Sequence, residues 1–390
     1  MSISSLYIDD NCADSSLTES IKSHLNVPAE TISDARTVFE RINASEDPIE
    51  AGKHALFLTE NKGAFVRQCP GTRAYTCCGY KILHIGTYCT MDCSYCILQA
   101  YFHPPVLQLF TNHGQMMDEL DQLFSQREVS RIGTGEFTDS LIWENWSPFS
   151  TVLVPKFASQ SRAVLELKTK TVAVDKLKSL DHNRKTIISW SLNTDRVIRR
   201  QERGTAPLEA RLKAAARCVS WGYPVAFHFD PMVVYDGCEA EYQDVIRRLL
   251  TIVKPENIVW ISLGTFRFIP TLKSIIQRRF EDSRIVYGEF VPGLDGKMRY
   301  FKPIRTALYR SVASVIQDIA PDICVYFCME TDEVWQKALG FHPLDRGGLP
   351  RMLDEAASRH CGLDGDLTPW GTEATNGEDT NATDRKHSKT

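Results

Sequence analysis

Three cysteines, Cys89, Cys93 and Cys96, stand at C-x3-C-x2-C spacing in the segment Cys-Thr-Met-Asp-Cys-Ser-Tyr-Cys. Thiolate sulfur is a ligand for soft metals, and a loop this short can turn three sulfurs toward one point. Three ligands are one too few for a closed tetrahedral zinc site or for an iron–sulfur cluster held wholly by protein. A cubane cluster bound in this way keeps one iron open to a further ligand, which makes it a reactive group. The competing reading is a structural zinc loop completed by a distant Cys or His.

The elements that must position these thiols are legible around them. Strand-like runs recur at 81–86, 129–133, 163–168, 186–191, 224–230 and 258–264, the first leading straight into the triplet. Helical patterns lie between them, among them 114–126 and 207–221, the latter with Gly222 placed to end it. Six β/α units predict a parallel sheet with right-handed crossovers. In such sheets the reactive groups gather at the C-terminal ends of the strands. Polar clusters fall at those ends: Gly135-Glu136 with Asp139, Lys168 with Lys170, Ser191 with Asn193, His228 with Asp230, and Arg267.

Flanking this core, residues 1–75 read as a small α/β N-terminal region, with a strand at 6–8 and a helix at 17–25. Ser16 or Thr18 is available to cap that helix. The barrel is expected over 76–282, a C-terminal α/β extension over 283–362, and a disordered tail, rich in Gly, Thr, Asn and Asp, over 363–390. Between 293 and 310, Lys297, Arg299, Tyr300, Lys302, Arg305 and Arg310 interleave cationic and aromatic types. That composition suits phosphate contact and base stacking, although an exposed helix start would look the same. Cys69, Cys77 and Cys78 read chiefly as buried inert thiols, with a redox pair or a second metal site as the alternative. Cys324 and Cys328 fall on one face of a strand-like run and read as core.

The chain of 390 residues has a net charge of −4, but the charge is unevenly spread. Residues 1–60 carry 4 basic and 11 acidic side chains and residues 353–390 carry 4 and 8, which leaves residues 61–352 at +7. A modestly basic centre is compatible with a nucleic-acid partner. No apolar run reaches the ~18–20 residues of a membrane span, and no basic-then-apolar leader opens the chain. Twelve cysteines, three of them at metal-ligand spacing, fit a reducing compartment, so the cytoplasm is the expected location.

The triplet after the first strand of a β/α series resembles the signature of the radical S-adenosylmethionine enzymes. That resemblance implies a partial TIM-type (β/α)6 barrel and a 4Fe-4S cluster on Cys89, Cys93 and Cys96. It further implies S-adenosylmethionine on the open iron, cleaved reductively to methionine and a 5′-deoxyadenosyl radical, with electrons from a donor such as flavodoxin or ferredoxin. Gly135-Glu136 resembles the Gly-Gly-Glu element that binds the methionine amine in that superfamily.

From about residue 4 to 330 the chain also resembles the spore photoproduct lyase family, radical enzymes that revert a thymine-dimer lesion in DNA. The similarity runs through Tyr95-Cys96 with Leu98-Gln99, Thr169-Lys170 before Val174-Asp175, and Ser191-Leu-Asn193. It continues through Gly204-Thr-Ala-Pro207, Gly222-Tyr-Pro224, Arg267-Phe268 and Arg299-Tyr300. The resemblance implies cofactor contact for Lys170 and Ser191, to which Asn193 and Glu136 are added as candidates, and a place near the lesion for Tyr95, Arg299 and Tyr300. His228, Asp230 and Arg267 are expected on the substrate side. Two rival readings remain open: the same fold acting on an unrelated small molecule or peptide, and a zinc-stabilised nucleic-acid-binding protein without catalysis.

Two departures stand out. Glu136 occupies the position where the family carries a hydrogen-donating cysteine, and Ile97 stands where a tyrosine follows the third cluster cysteine. A carboxyl O–H bond is too strong to quench a carbon radical, whereas a thiol S–H bond is weak enough. The expectation is therefore a protein that cleaves S-adenosylmethionine but does not cleanly return a split lesion to an intact thymine pair.

Overall fold

The computed structural model describes residues 2–71 and 75–372 of the chain. Along Ala163–Thr169, apolar Ala163, Leu165 and Leu167 alternate with Glu166 and Lys168. Period-two geometry sends the first set out against helices and the second into the interior of a curved sheet. Period two sorts the mostly apolar residues of the other strands between the same two faces; we label the strands β1 (Lys81–Leu83), β2 (Ser130–Gly133), β3 (Ala163–Thr169), β4 (Thr186–Ser191), β5 (Val225–Met232), β6 (Ile258–Thr265) and β7 (Cys324–Phe327). Neighbours pair in parallel throughout, and Val66–Gln68 adds an antiparallel edge beside β1. The result is the expected partial barrel, with one more parallel strand than the six foreseen, because the 283–362 segment contributes β7 to the same sheet.

A second sheet lies at the N-terminal side. Its order is Ala29–Ile32, Ser5–Asp9, Ala55–Thr59, Leu107–Phe110 and Gly86–Thr87. The first four are parallel and the last is antiparallel. The run expected as one strand over 81–86 is thus divided. Lys81–Leu83 enters the barrel and Gly86–Thr87 crosses to the other sheet, so the cysteine triplet begins where the two sheets meet. Gly86 has to be glycine there, since a Cβ would fall 2.4 Å from the carbonyl oxygen of Gln108.

Helix Ser16–Leu25 is capped by Ser15, whose side chain accepts from the Thr18 N–H, rather than by Ser16 or Thr18. Both of those residues already lie inside the first turn. The final helix, Leu349–Cys361, packs on β2, β6 and β7 and so bridges the two flanks of the open barrel. Buried Asp354 on that helix pairs with Arg131 of β2 at 2.7 Å. Past the helix, Asp366 bridges to Glu128, so the expected disordered tail is folded against the barrel at its start. Residues 373–390 of that tail lie outside the described residues. Among the described residues no helix is long and apolar enough to cross a membrane.

Candidate active site

The cysteine loop is gripped from two sides. Below it, Lys53 on helix Pro48–His54 is 1% exposed and donates to the carbonyls of Cys89 (3.3 Å) and Met91 (2.6 Å). Arg279 ties Asp92 (2.8 Å) to Asp47 (2.8 Å) and Glu50 (3.0 Å) of the N-terminal region. Gln99 closes the loop on itself by donating to the Cys93 carbonyl at 2.9 Å. From the other side, Asp92–Cys93 pairs antiparallel with Glu202–Arg203, and the Ser94 N–H donates to the Gln201 carbonyl. Tyr88 enters the loop in the left-handed region (φ 71°) and is anchored by its hydroxyl on the Ile49 carbonyl at 2.9 Å.

Held this way, Cys89, Cys93 and Cys96 open on one cavity of about 340 Å³. The Met91 N–H already donates to the Cys89 sulfur at 3.4 Å. Burial pushes the Cys89 thiol up to about 12 and holds Cys93 well above its usual value, so a bound metal is what draws those protons off. Among the described residues no three Cys, His, Asp or Glu side chains are drawn tightly enough together to hold a single metal ion. Three thiols on one short loop fit a cluster that keeps one iron open.

The cavity also receives Tyr95, Glu136, Lys170, Ser191, His228, Asp230 and Arg267, each from the C-terminal end of a strand or the loop beyond it. Buried Asp139 fixes one rim by accepting from the N–H groups of Leu141 (3.0 Å) and Lys170 (2.8 Å) and from the Thr169 hydroxyl (2.8 Å). That clasp ties the Glu136 loop to the end of β3, so close that a Cβ at Gly135 would meet the Lys168 Cβ at 2.9 Å. The Tyr95 hydroxyl donates to Glu202, which is buried against Arg211. Lys170 sits 5.8 Å from the centre of the Tyr95 ring. Asp230 and Arg267 form a two-pronged pair with both contacts at 3.1 Å.

Deeper inside, His228 bridges Ser262 (2.7 Å) and Glu166 (2.7 Å), and the Tyr80 hydroxyl donates to the second Glu166 oxygen (2.7 Å). Burial alone would raise the Glu166 carboxyl, but His228, Lys168 and Tyr80 outweigh it and hold it down at about 2. A carboxyl held below its unfolded value stabilises the fold fully above about pH 4–5 and loses that contribution as the pH falls toward 2. Urea titrations should therefore show the gap between wild type and Glu166→Gln wide at pH 7 and narrowing from about pH 4 down toward pH 2. A gap that does not change with pH would mean that the carboxylate charge does not stabilise the fold.

Three expected site residues stay outside the cavity. Asn193 is buried and engaged internally, donating to the Pro231 carbonyl (2.8 Å) and accepting from the Tyr242 hydroxyl (2.7 Å). Arg299 is 2% exposed, paired with Asp295 at 2.9 and 3.0 Å, and lies 4.3 Å over the Tyr75 ring. Tyr300 is buried, stacked on Phe290, with its hydroxyl accepting from the Val234 N–H. The expected phosphate contacts beside them are likewise committed. Arg305 is buried on Glu330, Lys302 pairs with Glu333 and Arg310 caps the Lys337 carbonyl. Charge in the sequence marked these positions, but their partners lie 4 to 31 residues away along the chain, where composition cannot locate them.

Lys168 and Cys328 also line the cavity. Lys168 faces Glu136, Glu166 and Asp230, which overcome burial and hold its pKa above the usual value. Cys328, expected in the core, opens on the cavity just past the end of β7, whereas Cys324 at the other end of the strand borders a separate hollow. Period two does place the pair on one face, but that face is the barrel interior, which is hollow at its rim.

A family model described as spore photoproduct lyase matches residues 75–298, more than half of the chain. The spore photoproduct lyase of Bacillus subtilis (strain 168) is 27% identical over 252 residues, covering 61% of this chain and 72% of that protein. The enzyme of the same name from Clostridium acetobutylicum is 22% identical over 254 residues, covering 64% and 71%. A solved cysteine-to-alanine variant of spore photoproduct lyase with dinucleoside spore photoproduct superposes with a TM-score of 0.75 at 19% identity, covering 84% of this chain and 99% of that one. A double variant with bound AdoMet and dinucleoside spore photoproduct gives 0.72 at 18% identity over the same shares. The partial barrel and the thiol loop at its rim agree with these matches, and the chain belongs to the spore photoproduct lyase family.

Proposed function

We propose that this chain is a radical S-adenosylmethionine lyase acting on a thymine-derived DNA lesion of the kind named for its relatives. The observation that carries the reading is the convergence of Cys89, Cys93 and Cys96 on the one cavity that also receives the strand-end residues of β3 to β6. When bound, the cluster and S-adenosylmethionine supply a 5′-deoxyadenosyl radical that takes hydrogen from the substrate.

The chain's own residues bind, orient and shield. Glu136, exposed at the rim, offers a carboxylate to the methionine amine, while Lys170 and Ser191 present a cation and a hydroxyl beside the cysteine loop. Tyr95 is locked by Glu202 and Arg211, so its ring forms a fixed wall against which a ligand settles. Asp230 and Arg267 offer polar groups to a nucleobase on the opposite side, with His228 held behind them by Ser262 and Glu166. Electrons enter from a small carrier of the flavodoxin or ferredoxin type. Cys96 is the least buried of the three cysteines, and Ile97 and Tyr101 beside it are exposed, which makes that edge the docking side.

The test is anaerobic turnover of the reconstituted protein with dinucleoside spore photoproduct or with undamaged dithymidine. Formation of 5′-deoxyadenosine should rise with the lesion and not with the undamaged control. Equal rates with both would remove the lesion from the reading and leave a radical enzyme of other specificity.

A further inference from the structure

Three thiols that the cluster does not use line the same cavity: Cys69, Cys78 and Cys328. Cys69 and Cys78 come from the segment before β1, and Cys328 is the first residue after β7, so the fold brings them together from opposite ends of the sequence. Cys328 is held at both ends. Its N–H donates to the Leu263 carbonyl of β6 at 3.3 Å, and the Arg267 guanidinium reaches its sulfur at 3.5 Å. The same guanidinium grips Asp230, which fixes the sulfur against the polar side of the cavity. Cys69 sits on a loop, and Cys78 is hydrogen-bonded to its neighbour Cys77, so neither is as free or as firmly placed.

Burial pushes the Cys328 thiol up to about 12, so it keeps its proton at neutral pH. The cavity's three tyrosines are engaged: the Tyr95 hydroxyl donates to Glu202, that of Tyr80 donates to Glu166, and that of Tyr326 is hydrogen-bonded with Ser262. Glu136 carries no hydrogen a carbon radical can take. An S–H bond is weaker than the C–H, N–H and carboxyl O–H bonds around it, so a carbon radical formed here finds its hydrogen at sulfur.

We propose that Cys328 is the hydrogen-atom donor of this protein, supplying from the end of the seventh strand what position 136 lacks. The inference rests on the lyase reading above and adds to it the identity of the thiol. In the step, the product carbon radical takes one hydrogen atom from Cys328. The S–H bond breaks homolytically, a C–H bond forms, and sulfur keeps one electron as a thiyl radical. The thiyl radical is returned to the thiol by one electron from the same small electron carrier and one proton from water, so each turnover consumes one S-adenosylmethionine and leaves one 5′-deoxyadenosine.

The experiment is turnover of dinucleoside spore photoproduct in D2O, where thiols carry deuterium, with mass spectrometry of the repaired dithymidine and of 5′-deoxyadenosine. Wild type should place solvent deuterium in the repaired product. Cys328→Ser keeps the size and a hydrogen-bonding atom for Arg267 but replaces a weak S–H with a strong O–H. It should still form 5′-deoxyadenosine in response to the lesion and lose the deuterated product to adducts. Cys324→Ala, at the far end of the same strand, should give deuterated product as wild type does. Intact product without deuterium, or full deuterated product from Cys328→Ser, overturns the assignment, as does its loss in Cys69→Ala or Cys78→Ala instead. Absence of any lesion-dependent 5′-deoxyadenosine from wild type overturns the lyase reading itself and the inference with it.

Discussion

Replacement of Cys89, Cys93 or Cys96 by alanine is expected to abolish both the 4Fe-4S absorption of the reconstituted protein and its cleavage of S-adenosylmethionine. A cubane held by the three thiolates of this loop has no spare ligand on the loop itself. The loss should be complete, because all three thiolates would be needed to hold the cluster. The fold should survive, since the loop is held by Lys53, Arg279 and the Glu202–Arg203 pairing rather than by the metal. Iron and sulfide analysis beside circular dichroism reads both outcomes. A triple variant that kept its full iron would move the cluster to other ligands.

A second large effect is expected at Arg211, which lies behind the cavity rather than on its lining. It is 0% exposed and donates to the carbonyls of Ser191 (2.7 Å) and Ala206 (2.8 Å), to the Thr205 hydroxyl (2.8 Å) and to Glu202. Arg211→Met would strand the Glu202 carboxylate in a dry interior, a loss of about 3–5 kcal/mol. Glu202→Gln added to it should recover part of that loss, because no charge is then left unpaired. Urea denaturation of the two variants measures both numbers. A single variant within 1 kcal/mol of wild type, on the order of an exposed pair, would mean water reaches this site. The network also explains the Gly204-Thr-Ala-Pro207 motif: its carbonyl and hydroxyl groups are what Arg211 binds, and through Glu202 they hold Tyr95.

Strands were the most legible part of the sequence, for a physical reason. The run at 186–191 matches β4 at both ends, because parallel strands buried on both faces read as apolar runs bounded by polar turns. The seventh strand was read as strand-like but not joined to the barrel, since pairing β6 with β7 crosses some sixty residues of intervening chain. The site divides along similar lines. Residues at strand ends, such as His228 and Arg267, could be placed by position alone. Lys53 could not, because its role comes from lodging under a loop 36 residues on, and the sequence around it reads as an ordinary helix end. Arg299 and Tyr300 differ in the opposite sense: their types invited a ligand, and in the structure they lie against Asp295 and Phe290.

The seventh strand also has a temporal consequence. Synthesis runs from the N-terminus, and by residue 300 a growing chain holds the three cluster cysteines and six of the seven parallel strands. The cavity wall that carries Tyr326 and Cys328, and the Leu349–Cys361 helix that spans the barrel, are still unmade at that point. Long-range parallel pairing is slow, because loop closure must precede its reward. The nascent protein therefore passes through a stage in which its thiol loop stands beside an open trough, reachable from a side that the finished molecule seals.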